Sequence, residues 1–367
     1  MRKQLAVLVT ALMLVGIFAV PAVANTKAKA SVTVKASTHL QLSSHVLSTI
    51  KSVVTSSKAN EGPRAVKKKP SIWFINVFSS NILFRDAQKI FVNSAKKYGY
   101  VAHVAGNATI NIPQQITYIK LAAASGAKAI IFCDLDQPTY QSAVKAAQKK
   151  GIIMLSSESC VDTDSNYVVS TNNSAFGQTA AKALGAQDGG APQVVVFMTN
   201  LTSTNQVLQL KSMESYAAIH YPNLKVLAVE YDNSDATTTA SQLTAAVLAY
   251  PTMNAVWFLE GGGPPTVPAA LAQAGKTPGQ IYVLAIDALP ATLAAVASGW
   301  LSATISQCYF WDSGFVAQLA MAAINGHPVK QRTWLIPTQI VTKASLPYAG
   351  CPSSFIPTLP KQYLKFG

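Results

Sequence analysis

The residues with chemistry to offer stand just beyond short apolar runs. They are Asn81 after Phe78-Ser79-Ser80, Asp134 and Asp136 after Cys133, Glu158 after Ser156-Ser157, Asn172 and Asn173 after Thr171, Glu260 before Gly261-Gly262-Gly263, Asp287 after Ile286 and Gln307 after Ser306. Carboxylates and side-chain amides of this kind hydrogen-bond polar solutes, and Phe78 and Trp311 offer aromatic faces for stacking. The same residue types cap helices at such places, so any single position is also compatible with a cap and nothing more. None of them falls into a catalytic or metal spacing. No GxGxxG follows the first apolar run, and neither GxxxxGK[ST] nor GxSxG occurs. The Gly261-Gly262-Gly263 run leads into Pro264-Pro265, which cannot open a helix with free N–H groups around a phosphate. There is no CxxC, and His103, His220 and His327 are scattered. The expectation is a binding protein and not an enzyme, with no cofactor and no metal.

The runs that place these residues repeat one unit from Ser71 to Pro337: an apolar β-branched strand, a turn, an amphipathic helix and a Gly that stops it. Ile72 to Phe78 reads as the first strand. Phe84, Ala87, Phe91, Ala95 and Tyr98 then recur at helical spacing before Gly99. Further strands are expected at Tyr100–Val104, Ala129–Cys133, Ile152–Leu155 and Tyr167–Ser170, with helices over Ile112–Ser125 and Tyr140–Lys150. The pattern then restarts. Strands Val194–Met198, Lys225–Val229, Ala255–Leu259 and Ile281–Ile286 alternate with helices near Asn205–Ile219, Thr237–Tyr250, Val267–Ala274 and Pro290–Ser298. Strands apolar on both faces and joined by helical crossovers make parallel sheets covered on both sides. Two such runs imply an α/β chain of two doubly wound lobes. Ligands of such sheets bind beyond the carboxyl ends of the strands, where the polar residues above stand.

The N-terminus reads as a secretory signal over residues 1–24: Arg2 and Lys3, an uncharged run from Leu5 to Val20, then Pro21-Ala22-Val23-Ala24 with small residues at the cleavage positions. That run falls short of the roughly 20 residues that span a bilayer. The expected mature chain begins at Asn25, and with no Cys before Cys133 it carries no lipid. The net charge of +14 is concentrated near the start: residues 25–70 hold nine basic side chains against Glu61, while Ser71 onward holds 18 against 14. Residues 25–70 read as a basic flexible linker suited to anionic lipid or cell-wall polymer, or simply solvated; nucleic acid is not an expected partner. The 4 Cys of an exported chain suggest disulfides, with three possible pairings. Cys133 ends one strand and Cys160 lies just past the next, so Cys133–Cys160 is favoured, and Cys308–Cys351 follows by elimination.

Local matches in order along about Ser71 to Thr342 resemble the periplasmic sugar-binding proteins of the ribose and galactose type, which have the type I periplasmic-binding fold. They are Trp73-Phe74-Ile75-Asn76-Val77-Phe78 with Asn81, Ala127-Lys128-Ala129-Ile130-Ile131, Thr171-Asn172-Asn173 with Gly177, Asn254-Ala255-Val256-Trp257-Phe258, Ala272-Gln273-Ala274-Gly275, Val283-Leu284-Ala285-Ile286-Asp287 and Leu301-Ser302-Ala303-Thr304-Ile305-Ser306-Gln307. The resemblance implies a three-stranded hinge. It assigns 71–172 plus 307–337 to an N-terminal lobe, 173–306 plus 338–350 to a C-terminal lobe, and 351–367 to a C-terminal tail. It also implies that the lobes close on a ligand held by Phe78, Asn81, Asn173, Asp287 and Gln307; Asp134, Glu158 and Glu260 join them as candidates by their place at strand ends, and Trp311 as a stacking surface.

The departures from the family pattern concern charge. Ser156-Ser157-Glu158 stands where an Asp-Arg pair is usual, Gln206-Val207-Leu208-Gln209-Leu210 lacks the usual Arg, and Glu260 replaces an Asn. The cleft keeps acceptors and loses cations. The implied function is extracytoplasmic capture of a small polar ligand, sugar or polyol first, for an ABC transporter permease, by a monomer. A receptor for a membrane signalling partner and a binder of cationic or aromatic small molecules are the alternatives.

Overall fold

The computed structural model describes residues 68–158, 160, 164–355 and 357–366, the side chains of 309–312 and 353 excepted. The expected signal peptide (1–24) and residues 25–67 of the expected linker lie outside the described residues. The first half runs β1 (Ser71–Asn76), α1 (Ile82–Lys97), β2 (Val101–Gly106), α2 (Ile112–Ala124), β3 (Ala129–Phe132), α3 (Gln137–Gln148), β4 (Ile153–Ser156), β5 (Tyr167–Thr171). After it come α4 (Asn173–Gly185), β6 (Gln193–Met198), α5 (Thr204–His220), β7 (Lys225–Tyr231), α6 (Ala236–Ala249), β8 (Ala255–Phe258), α7 (Val267–Gln273), β9 (Tyr282–Ile286) and α8 (Pro290–Ala297). The chain ends with β10 (Ala303–Ser306), α9 (Tyr309–Ile324), β11 (Thr333–Ile336) and β12 (Gln339–Thr342).

Two six-stranded sheets result, ordered β11-β5-β4-β3-β1-β2 and β12-β10-β9-β8-β6-β7. All pairs are parallel except β10 with β12, so the second sheet departs from the all-parallel expectation at one edge. Alternation within β1 shows why each sheet needs cover on both sides. Ile72 and Phe74 enter a core with Phe91, Phe315 and Leu319, whereas Trp73 and Ile75 enter one with Ile119, Tyr140 and Val144. In β6, Val195 and Phe197 face Leu243 and Leu271, while Val194, Val196 and Met198 face Phe176 and Met213. Helix α1 begins where the Asn81 side chain accepts from Leu83 N and stops at Gly99, whose φ of +89° a Cβ would strain.

The helices α4 and α9 were not foreseen by hydrophobic periodicity. α4 turns Phe176, Ala180, Ala181 and Leu184 into the second lobe, and α9 is apolar around its described surface, with Phe315 to Ala322 interior to the first apart from half-buried Gln318. Chain passage between the lobes occurs at β5–α4, β10–α9 and β11–β12. It then occurs a fourth time. Beyond β12 the chain returns to the first lobe, where Cys351 is bonded to Cys308 with Cα atoms 5.7 Å apart. Leu364 is 1% exposed within the first-lobe core, Phe366 N donates to Tyr98 O at 3.1 Å, and Asn325 Nδ2 donates to Tyr363 O at 2.9 Å. The three crossings and separate tail at 351–367 implied by the resemblance are corrected accordingly. The tail's apolar residues complete the core between α1, β2 and α9. If Leu364 is core, L364A costs about 2–5 kcal/mol in denaturant unfolding; a free tail would leave the midpoint unchanged.

Candidate functional site

The carboxyl ends of both sheets converge on one pocket. Val77, Phe78, Asn81, Phe84, Ile110 and Leu135 line it from the first lobe. Thr199, Asn205, Gln206, Ser234, Leu259, Glu260, Gly261, Ile286, Asp287 and Gln307 line it from β6–β10 and the segments that follow them. The first lobe thus supplies an apolar wall broken by Asn81, and the second supplies most of the polar groups. The cavity is about 60 Å³, room for only a few waters.

The first-lobe wall is set by the loop after β1. Asn76 is fully buried; its Oδ1 accepts from Phe78 N at 3.0 Å and its Nδ2 donates to Phe84 O at 3.1 Å. Gln115 Nε2 donates to Val77 O at 3.1 Å, with Tyr140 bonded to the amide's other end. These contacts end β1 at Asn76, two residues before the expected Phe78, and turn Phe78 into the pocket. Asn81 caps α1 and lines the pocket as well. The lobes meet here: Thr204 N at the start of α5 donates to Leu135 O at 2.9 Å, and Gln137 N donates to Thr204 Oγ1 at 3.4 Å.

On the second lobe, Asp287 closes β9 with a φ of +66°. Gln307 Nε2 donates to Asp287 Oδ1 at 3.0 Å, and Thr304 Oγ1 to Asp287 O at 2.6 Å. A Cβ on Gly261 would come within 2.8 Å of Asp287 Oδ2 and 3.8 Å of Asn81 Nδ2, so glycine there lets the lobes approach. Burial pushes the Asp287 carboxyl up to about 6 against the pull of the Gln307 amide. Burial first, then the nearby Asp287 charge, holds Glu158 well above the usual carboxylate range. Glu260 is pushed up to about 8, by burial first and then by Asp232.

The expected site residues therefore separate. Phe78, Asn81, Glu260, Asp287 and Gln307 line one pocket. Glu260 nevertheless spends both carboxylate oxygens on its own loop, accepting from Gly262 N at 2.5 Å and from Gly263 N at 2.8 Å. The glycine run serves that turn, since side chains at 262 and 263 would collide with Ser234 O and the Glu260 carboxylate. Asp134 is not among the residues that line the pocket: it is buried, and its Oδ1 accepts from Ser156 at 3.1 Å. Asn173 is likewise off the lining, its Oδ1 accepting from Gln209 Nε2 at 2.6 Å. Glu158 does not line the pocket but lies near enough to sense Asp287. The side chain of Trp311 is outside the described residues. Cys133 is bonded to Cys160 with Cα atoms 5.3 Å apart. Gln206, Asn205, Ser234 and Thr199 were not foreseen. Gln206 locks two strand ends together, its amide bonding Thr199 N at 2.8 Å, Thr199 Oγ1 at 2.9 Å and Leu259 O at 2.8 Å; a Gln on a helix carries no local signal of that.

Two parallel-sheet lobes, joined by several chain crossings and enclosing a polar pocket at their strand ends, define a hinged binding protein. The family model described as a periplasmic binding protein domain matches residues 72–328. The chain belongs to that family. No curated protein matches it. Among solved structures it is similar to an ABC transporter solute-binding protein from Burkholderia graminis in complex with D-arabinose, at 21% identity and a TM-score of 0.73, covering 77% of this chain and 99% of that one. It is also similar to GanP, a glucose-galactose binding protein from Geobacillus stearothermophilus, at 21% and 0.72 with 77% and 100% covered. A third is an ABC transporter solute-binding protein from Agrobacterium vitis bound with alpha-D-tagatopyranose, at 20% and 0.72 with 77% and 97% covered.

The raised carboxyls set the sign of a pH effect. Glu260 keeps its proton in the folded protein up to about pH 8 but loses it near 4.5 when unfolded. Across that window the folded state holds the extra proton, so stability falls as pH rises. The melting temperature should decline from pH 5 to 8, and E260Q should flatten the decline; an unchanged slope in E260Q would contradict the assignment.

Proposed function

We propose that this is an exported solute-binding protein that captures a small polyhydroxylated ligand, sugar-like in shape, between its lobes and presents it to an ABC transporter permease. The observation that carries this reading is the division of the pocket. A pyranose has an apolar C–H face and a polar rim, and the pocket offers Phe78, Phe84, Ile110 and Leu135 on one side against Asp287, Gln307 and Asn205 on the other. The solved relatives named for sugars support the ligand class, and those described as ABC transporter components support the delivery step. The cavity is too small to admit a solute from outside while the lobes touch, so capture requires them to part and close. Residues 1–24, read as a signal peptide, support export.

Two measurements test it. A thermal-shift screen of pentoses, hexoses and polyols should find a ligand that adds about 2.7 kcal/mol at 100 times its dissociation constant, and D287A should weaken that ligand about ten- to a hundredfold. A screen in which no sugar or polyol shifts the melting point would refute the reading. Closure is tested by T204P. Position 204 is the first of α5, where proline is tolerated, so the substitution removes the N–H that bonds Leu135 with little cost to the helix. Affinity should fall about two- to tenfold at an unchanged melting temperature of the free protein.

A further inference from the structure

Glu158, just beyond β4, is 2% exposed, and neither of its carboxylate oxygens has a hydrogen-bond partner among the described residues. The charge that acts on it is Asp287 of the other lobe, which lines the pocket. Gln307 turns its Nε2 to Asp287 Oδ1, which leaves its own Oε1 buried and without a partner among the described residues. Thr171 ties the three together: its N–H donates to Glu158 O at 3.0 Å and its hydroxyl to Gln307 O at 3.3 Å. Glu158 and Asp287 both sit in the left-handed region, at φ of +69° and +66°. Glutamate seldom adopts that conformation, so surrounding structure holds the strain in place.

Three of the unmatched atoms here are acceptors, both oxygens of Glu158 and Oε1 of Gln307, against one hydroxyl, that of Ser157, among the described residues. No Lys or Arg is among the groups that shift Glu158, Asp232, Glu260 or Asp287. A buried set in which acceptors outnumber donors is complemented by a group that brings donors and positive charge together. A hydroxyl brings one donor and two lone pairs, which would face further acceptors. An ammonium brings three donors and no lone pair.

We propose that the ligand is an aminated polyol or sugar whose primary ammonium donates to Asp287 and to Gln307 Oε1, with the Glu158 carboxyl behind them. This rests on the sugar-cleft reading above and narrows its substrate class. Among the described residues, no Lys or Arg lines the pocket to meet hydroxyl oxygens with a charged donor.

The test is calorimetric titration of the full chain near neutral pH with D-glucosamine and D-galactosamine, each beside its parent sugar, and with methylamine and calcium chloride alone. An amino sugar should bind at least about tenfold more tightly than its parent, and E158Q and D287N should each shrink that ratio to within about threefold. Melting curves establish that each variant is folded, and the two variants report the same ratio independently. A parent sugar binding as tightly as its amino derivative overturns the ammonium site and leaves the sugar-cleft reading standing. Binding of methylamine with no sugar of either kind supports the ammonium site and overturns the sugar reading. A response to calcium alone, or a preference unchanged in both variants, overturns the proposal.

Discussion

Carboxylates buried without cations are the constraint around which the cleft is built. A carboxylate taken from water costs several kcal/mol unless hydrogen bonds or opposite charge replace its hydration, and otherwise it takes up a proton. The second lobe meets that cost for Glu260 and Asp232 with donors of its own. Gly262 and Gly263 serve Glu260, and Ser234 N and Thr239 Oγ1 serve Asp232 at 2.9 and 2.7 Å. Among the described residues Asp287 receives one side-chain donor, from Gln307, and Glu158 receives none. The gradient runs from Glu260 and Asp232, held by donors of the second lobe, to Asp287 and Glu158 at the junction of the lobes, which is where a solute would supply what the protein withholds.

Topology produces that gradient. Parallel strands buried on both faces send every carboxyl end to the same edge of the sheet, and two such sheets set edge to edge leave their polar ends facing each other. The crossings at Thr171–Asn173 and Ser306–Tyr309 run through this junction, so the residues that connect the lobes are neighbours of those that line the pocket. Thr171 does both: it ends β5, and it bonds Glu158 and Gln307. The disulfide from Cys308 to Cys351 and the returning C-terminal segment fasten the chain to the first lobe just beyond the same crossing.

The strands and most helices were legible because their residues obey a period. Ile72 to Asn76 is continuously apolar until Asn76, and Ala87, Phe91 and Ala95 mark one helical face. Helix α9 was not legible for the opposite reason: apolar residues surround its described part, so no face stands out; α4 does present a face, Phe176, Ala180 and Leu184, but its middle is small. Of the site, the strand-end positions of Asp287, Gln307 and Glu260 were legible, since polarity after an apolar run is visible in one dimension. What those side chains do was not. Glu260 and Asp134 look alike in sequence, yet one accepts from its own glycine loop and the other from Ser156 across to β4. Distances between segments 20 to 150 residues apart decide such roles. The returning C-terminal segment was hidden too, because Leu364 and Phe366 are too few to form a periodic pattern.

The central claim is that the two lobes close on a small solute at their converging strand ends. Small-angle X-ray scattering of the protein alone and with a saturating concentration of the ligand found by thermal shift tests it directly. Closure predicts a smaller radius of gyration and a narrower distance distribution with ligand bound, with the unliganded protein more open than the structure described here. Superimposable curves from the two samples, at a ligand concentration that calorimetry shows to be saturating, would contradict it.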